Sequence, residues 1–179
     1  MQQHTGGFLD PEDILRQLPL RSSLKIADFG CGHGYFSLPL AKFIPDGEIY
    51  AIDVLEKALQ AVRSKAEIEN IQNIKTIRNN IEKPEGSGVE RDSMDMVILA
   101  NILFQSQKKE EILKEADRVL KTGGSLVVVD WVAGSTMAPK EGWLISKEAL
   151  LEMVEAKSFK FIKDLKVDHQ HYGLVFKKI

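Results

Sequence analysis

Residues 27–37 read ADFGCGHGYFS, with glycines at 30, 32 and 34. The preceding run, Leu24 to Phe29, is apolar and reads as a strand. The following YFSLPLAKFI repeats Phe36, Leu40, Phe43 and Ile44 at helical spacing. The glycines therefore fall in a strand-to-helix turn. At the carboxyl end of a central parallel strand, such a turn is where open α/β sheets bind ligands. Glycine permits unusual backbone angles and lets a ligand approach the main chain without a Cβ in the way. One glycine would serve a plain tight turn, whereas three at alternating positions point to a bound ligand.

Outward from this turn, strand and helix patterns alternate. EIYAID (48–53) is a second strand, followed by a helix carrying Leu55, Leu59, Val62 and Ala66 on one face. Ile74 to Arg78 is a short third strand. MDMVILA (94–100) is nearly continuously apolar, as a central strand covered on both faces requires. A helix with Ile112, Leu113, Ala116, Val119 and Leu120 follows, and KTGG is read as its stop signal. SLVVVDW (125–131) is the fifth strand. Near the start, Asp10 is positioned to cap a helix PEDILRQL with Pro11 at its first position. Beyond Trp131 the irregular VAGSTMAPKEGW precedes a helix capped by Ser146. Two strands, 159–167 and 172–178, then flank DHQH, a connection short enough to require an antiparallel pair.

The order predicts an α/β, doubly wound, mostly parallel sheet of seven strands with an antiparallel C-terminal hairpin strand and helices on both faces. We expect one domain over residues 1–179: an N-terminal lid or helix region (1–22), a ligand-binding core (23–131) and a substrate-side segment (132–179).

Composition narrows the function classes. The 179 residues are 44% hydrophobic and 28% charged, ordinary values for a globular chain. The formal net charge is -2, no basic block stands out, and the lysines of FKFIKDLK alternate with apolar residues, so no nucleic-acid partner is expected. Cys31 is the single cysteine, which excludes an internal disulfide and a cysteine-based zinc site, and no metal is expected. No apolar run reaches the roughly 20 residues of a membrane span, and no secretory signal is seen at the start. The expected location is the cytoplasm.

The ligand class follows from the turn. A phosphate-binding P-loop needs lysine and serine or threonine after its last glycine, but Tyr35 and Phe36 stand there. The dinucleotide fingerprint needs glycine at 35, which disfavours a nicotinamide cofactor. Asp53 ends the second strand about 20 residues past the turn, where an acid can accept both hydroxyls of an adenosine ribose. The same residue could instead cap the helix that follows it.

These segments resemble a known family. ADFGCGHG is similar to the first motif of class I S-adenosylmethionine-dependent methyltransferases, and IYAIDV, IRNNIEK, MDMVILANILFQ and EADRVLKTGGSLVVVDW resemble the motifs that follow it, in order. Thr122 replaces the usual proline of the last. The nearest branch resembles the ubiquinone/menaquinone-biosynthesis methyltransferases. The resemblance implies that Gly30, Gly32 and Gly34 admit the methionine and ribose portions of S-adenosylmethionine, with S-adenosylhomocysteine as product. It implies that Asp28 organises the loop and reaches toward the methionine amine, that Asp53 holds the ribose hydroxyls, and that Val54 packs on the adenine. Asn80 would meet the adenine amino group, the Ile81 amide a ring nitrogen, and Asn101 the methionine side.

The cofactor of such a family carries the reactive methyl group, so no fixed catalytic triad is expected. His4, His169, His171 and Tyr172 are the candidates for a base, while His33 belongs to the glycine loop. Trp131 and Trp143 flank the irregular segment and could line an acceptor pocket or simply pack. NILF after the fourth strand is not the motif of amino-group methylation on nucleic-acid bases, and one cysteine does not suit arsenite methylation, which leaves a small-molecule acceptor; the short chain leaves its pocket open or completed by a second subunit in a homodimer. The other readings are a nicotinamide-dependent oxidoreductase and a non-catalytic binder of the same cofactor.

Overall fold

A computed structural model describes residues 9–140 and 142–179. The elements in chain order are α1 (Pro11–Leu15), β1 (Lys25–Phe29), α2 (Ser37–Phe43), β2 (Glu48–Asp53), α3 (Glu56–Ile68), β3 (Ile74–Arg78) and β4 (Met94–Ala100). A 3-10 turn (Leu103–Gln105) then leads to α4 (Lys109–Val119), β5 (Leu120–Trp131), α5 (Lys147–Glu155), β6 (Phe159–Leu165) and β7 (His171–Lys178). The seven strands form one sheet in the order β3-β2-β1-β4-β5-β7-β6. Neighbours from β3 through β5 pair parallel, and β7 runs antiparallel to both β5 and β6. The expected fold class is thus the observed one.

Burial on both faces explains why β4 has no polar–apolar alternation. Val97 and Leu99 enter the core shared with Ile112, Leu113 and Ala116 of α4 and Leu150 and Val154 of α5. Met96 and Ile98 enter the opposite core with Ile14 and Leu15 of α1 and Leu40 and Ala41 of α2. The period-2 geometry of a strand sends successive side chains to opposite faces, so a two-sided strand must be apolar throughout.

Both anticipated caps form. The Asp10 carboxylate accepts the Glu12 and Asp13 amides at 2.9 and 3.4 Å, and Ser146 Oγ accepts the Ala149 amide at 3.2 Å. Each satisfies helix-start donors that the helix itself leaves open. α1 is shorter than expected, ending at Leu15 before a turn to Leu18.

KTGG needs correction. The residue after α4 is Leu120 in extended conformation, not a left-handed glycine, and β5 already begins there. The register slips between Met94 and Met96 on the partner strand, so these residues form an irregular strand start, with Gly123 at φ 78°. A Cβ on Gly124 would sit 2.8 Å from the Lys121 carbonyl oxygen, which is why the tight double glycine is needed.

The antiparallel insertion of β7 matters for function. Trp131 at the end of β5 pairs with His171 at the start of β7. The turn at 166–170 therefore lies at the carboxyl edge of the parallel strands, the same edge as the glycine turn. Among the described residues, no helix is long and apolar enough to cross a membrane.

Candidate functional site

The glycine turn opens a cleft of about 340 Å³ at that edge, lined by Asp28, Gly30, Cys31, Gly32, His33, Tyr35, Phe36, Lys65, Ala100 and Asn101. β1 delivers Asp28, the turn delivers residues 30–36, and the end of β4 delivers Ala100 and Asn101. A larger groove of about 970 Å³ lies at the opposite edge, among the strand starts. It lies at the far end of the sheet from the glycine turn and from the described site residues expected from the sequence.

The three glycines do different jobs. All have positive φ, at 72°, 52° and 85° for Gly30, Gly32 and Gly34. A Cβ on Gly30 would run into Ile102 Cδ1, and one on Gly34 would meet Leu38 and Val62 side chains at 3.1 to 3.2 Å. Those two positions are held by packing inside the protein. A Cβ on Gly32 would meet nothing within 4 Å. Gly32 is the position whose bare face is open space on the cleft wall.

Asp53 bridges the loop and the next helix. One carboxylate oxygen accepts the Gly32 amide at 2.9 Å, and the other accepts the Leu55 amide at 2.9 Å. It is not the helix cap, because α3 starts at Glu56 with Leu55 in the cap position. Val54 beside it is half exposed at 49%, an apolar surface facing outward at the strand end.

Asp28 is buried and accepts from Ser37 Oγ at 2.6 Å. Burial pushes its carboxyl up to about 6 against the pull of the Ser37 hydroxyl, and the nearby Asp53 charge adds to the rise. Asp28 thus lines the cleft, and Asp53 adds a second negative charge beside it through its bond to the Gly32 amide. That arrangement attracts a cation and repels a pyrophosphate. Burial also raises the Cys31 thiol, so this cysteine is an inert wall of the cleft.

Asn101 sits in the left-handed region, φ 53°, which asparagine tolerates better than most residues. Its amide donates to the Val129 carbonyl at 2.8 Å. Its side-chain Oδ1 is buried without a hydrogen-bond partner, while Nδ2 lies 3.4 Å from His171 Nε2. An unpartnered buried acceptor is costly, so a donor from a ligand would be rewarded there.

Asn80 and Ile81 lie farther along the edge, past β3, and do not line this cleft. The Asn79 amide donates to the Asp53 carbonyl at 3.0 Å, which sets this segment beside the Asp53 end. Asn80 Oδ1 already accepts the Glu82 amide at 2.9 Å, so only its second lone pair is free for a ligand.

The base candidates separate clearly. His4 lies outside the described residues. His33 is exposed, and its carbonyl accepts from Lys65 Nζ at 3.1 Å. His169 is exposed on the turn. Tyr172 is buried on the α5 face with its hydroxyl donated to the Ile145 carbonyl at 3.1 Å, and burial raises its phenol. It is a packing residue turned away from the cleft. His171 is buried, and its Nδ1 lies 2.9 and 3.0 Å from the two oxygens of Asp168. The Trp131 ring is tilted against it with centroids 4.1 Å apart. Trp143 is 48% exposed, with its amide donated to the Phe104 carbonyl at 2.6 Å.

The sequence reading missed Asp168. Burial raises its carboxyl, but the hydrogen bond from the His171 ring and those from the Gln170 and His171 amides outweigh it and hold the group below its ordinary value. The available signal was an acid three residues before a histidine in a turn. It also missed Lys65 as a wall of the cleft.

A family model described as a methyltransferase domain matches residues 20–176. The chain is 28% identical over 121 residues to a demethylmenaquinone methyltransferase of Geobacillus kaustophilus (strain HTA426), covering 66% of this chain and 50% of that protein. It is 27% identical over 143 residues to a ribosomal RNA small subunit methyltransferase C of Hahella chejuensis (strain KCTC 2396), covering 72% of this chain and 40% of that one. The chain spans about half the length, or less, of these relatives. A solved SAM-dependent methyltransferase from Aquifex aeolicus superposes with a TM-score of 0.83 at 21% identity, covering 96% of this chain and 90% of that one. That likeness concerns the fold alone. The match from residue 20 to residue 176 decides the family: the chain belongs to the methyltransferase-domain family, on the Rossmann-like fold of class I S-adenosylmethionine-dependent methyltransferases.

Proposed function

We propose that the chain is an S-adenosylmethionine-dependent methyltransferase acting on a small-molecule acceptor. The observation that carries this reading is the cleft at the bare Gly32, with the Asp28 carboxylate in its wall and the Asp53 carboxylate bound to the Gly32 amide. A ligand with a positive centre and ribose hydroxyls suits those groups; a dinucleotide pyrophosphate does not. When bound, S-adenosylmethionine supplies a methyl group on a cationic sulfur, ready for displacement.

The chain's own part is to bind and orient. Asp53 accepts ribose hydroxyls with lone pairs left over from its two amide bonds. Asp28 receives the ammonium end, and Asn101 stands beside the methionine portion. Val54 offers an apolar face to the adenine, and Asn80 and the Ile81 amide its polar edge. Holding the acceptor in line with the methyl group supplies much of the rate, because positioning alone can lower a barrier by about 7–11 kcal/mol.

The acceptor side lies over Trp131 and the 132–145 segment. That segment is pinned to the turn: the Gln170 carbonyl accepts the Val132 amide at 2.8 Å, and Gln170 Oε1 accepts the Met137 amide at 3.0 Å. Val132, Met137 and Trp143 leave apolar surface exposed there. A ring-bearing small molecule fits such a surface. The net charge of -2 gives no support to a nucleic-acid acceptor. A cytoplasmic location and a homodimer complete the reading, to be checked by cell fractionation and light scattering.

A thermal-shift series tests the cofactor. S-adenosylhomocysteine at 100 times its Kd adds about 2.7 kcal/mol, raising Tm by roughly 5–10 °C for a chain of this size, while NAD adds nothing. The reverse pattern would overturn the reading. Transfer of labelled methyl to a small-metabolite pool, with no transfer to RNA, tests the acceptor class.

A further inference from the structure

We propose that His171 is the general base of the transfer, that Asp168 is its positioning residue, and that the acceptor is a hydroxyl- or amine-bearing compound that must lose a proton. This rests on the methyltransferase reading above.

The argument begins with the turn. Asp168 accepts the Gln170 amide at 2.7 Å and the His171 amide at 3.1 Å, so the carboxylate is folded back over its own chain. That fold brings both its oxygens to His171 Nδ1. An ionised carboxylate only accepts, so Nδ1 carries a proton toward Asp168, and in the neutral ring this leaves the lone pair on Nε2. Trp131 packs on the ring and fixes its plane.

Nε2 lies on the Asn101 side of the ring, and Asn101 lines the cleft. Its neighbour is Asn101 Nδ2 at 3.4 Å, a long contact that a substrate hydroxyl can replace at small cost. Two more polar atoms beside this ring are buried without partners: Asn101 Oδ1 and Trp131 Nε1. Both residues touch His171, and Asn101 lines the cofactor cleft. An acceptor group at this place finds a donor in the indole, an acceptor in the amide oxygen and a base in the imidazole. A turn built only for structure has no need of this unsatisfied set.

The other titratable groups around the dyad are few. Tyr35 from the glycine loop and Asp10 from the cap of α1 lie within electrostatic reach of one another, and Tyr35 of Asp168. Asp28 lines the same cleft as Asn101. Asp130, next to Trp131 on β5, is turned to the amides of Trp131 and Phe104. His33 is on the cleft rim.

The step balances. His171 Nε2 takes the proton of the acceptor's O–H or N–H bond. The freed lone pair forms the new bond to the methyl carbon. The carbon–sulfur bond breaks, and its pair stays on sulfur, which becomes a neutral thioether. The imidazolium, held by Asp168, then yields its proton to solvent.

The test compares wild type, His171→Gln, Asp168→Asn and, as a neighbour, His169→Gln. Binding of S-adenosylhomocysteine by calorimetry is read first. Failure of wild type to bind sinks the methyltransferase reading itself. Nitrogen-15 imidazole spectra of the wild type at pH 8 are expected to show His171 with a proton on Nδ1 and a bare Nε2, and Asp168→Asn is expected to mix the two tautomers. With the compound that wild type methylates, His171→Gln is expected to lose 10²- to 10⁴-fold in kcat with cofactor affinity kept within threefold. It should also lose the acid limb of the rate profile, and His169→Gln should change neither. A proton on Nε2 in wild type, or a His171→Gln rate within threefold of wild type with the same pH profile, would overturn the proposal.

Discussion

Asp28→Asn should make the protein more stable and the cofactor site weaker. The native Asp28 carboxyl is raised from 3.8 to about 6 because it is buried beside Asp53. A displacement of about two pH units corresponds to about 3 kcal/mol of penalty for holding the charged form at pH 7. An amide removes the charge and still accepts from Ser37 Oγ. Its new N–H groups need partners, which returns about 1 kcal/mol. The net gain of about 2 kcal/mol should raise Tm by roughly 4–8 °C at pH 7. The pH dependence gives a second check. Between about pH 4 and 6 the native carboxyl keeps its proton while the unfolded one has lost it. The unfolded state then binds fewer protons, and stability falls as pH rises. Asp130 is raised to about 6 as well, mainly by burial, so the variant should keep about half of that slope. Chemical denaturation from pH 4 to 8, with S-adenosylhomocysteine binding measured on the same samples, is the assay. A variant less stable than wild type at pH 7, or with an unchanged slope, would refute the reasoning.

Three more outcomes are expected. Gly32→Ala and Gly30→Ala each take on about 1–2 kcal/mol of left-handed strain, but only Gly30→Ala also strikes Ile102, so denaturant melts should show it as the less stable. Gly32→Ala should lose cofactor affinity tenfold or more in calorimetry, because its new methyl group enters the cleft. Tyr172→Phe removes the bond to the Ile145 carbonyl and should cost about 1 kcal/mol in denaturant melts, with methyl-transfer rates unchanged.

Much of this was legible in the chain. The boundaries of β2 and β4 could be read off EIYAID and MDMVILA, because their burial fixes their composition, and those of the edge strand β3 off the isoleucines of IKTIR. The caps at Asp10 and Ser146 were legible because capping is a local interaction. The start of β5 was not, since KTGG serves a helix stop and a bulged strand equally well, and only pairing with β4 decides between them. In the site, Asp28, Gly32, Asp53 and Asn101 came from the strand ends, where topology brings neighbours together. The separate jobs of Gly30 and Gly34 depend on Ile102, Leu38 and Val62 across the turn, which no local pattern announces. Likewise, the meeting of His171 with Asn101 is made by inserting β7 beside β5, seventy residues apart in the chain.

The most direct measurement is calorimetric titration of S-adenosylhomocysteine into wild type and Asp53→Ala, with unfolding measured alongside. The account predicts saturable one-to-one binding in wild type, affinity lower by tenfold or more in Asp53→Ala, and variant stability within about 1–2 kcal/mol of wild type. Equal binding by the two proteins, or none by wild type, would contradict the claim that this cleft holds the methyl donor.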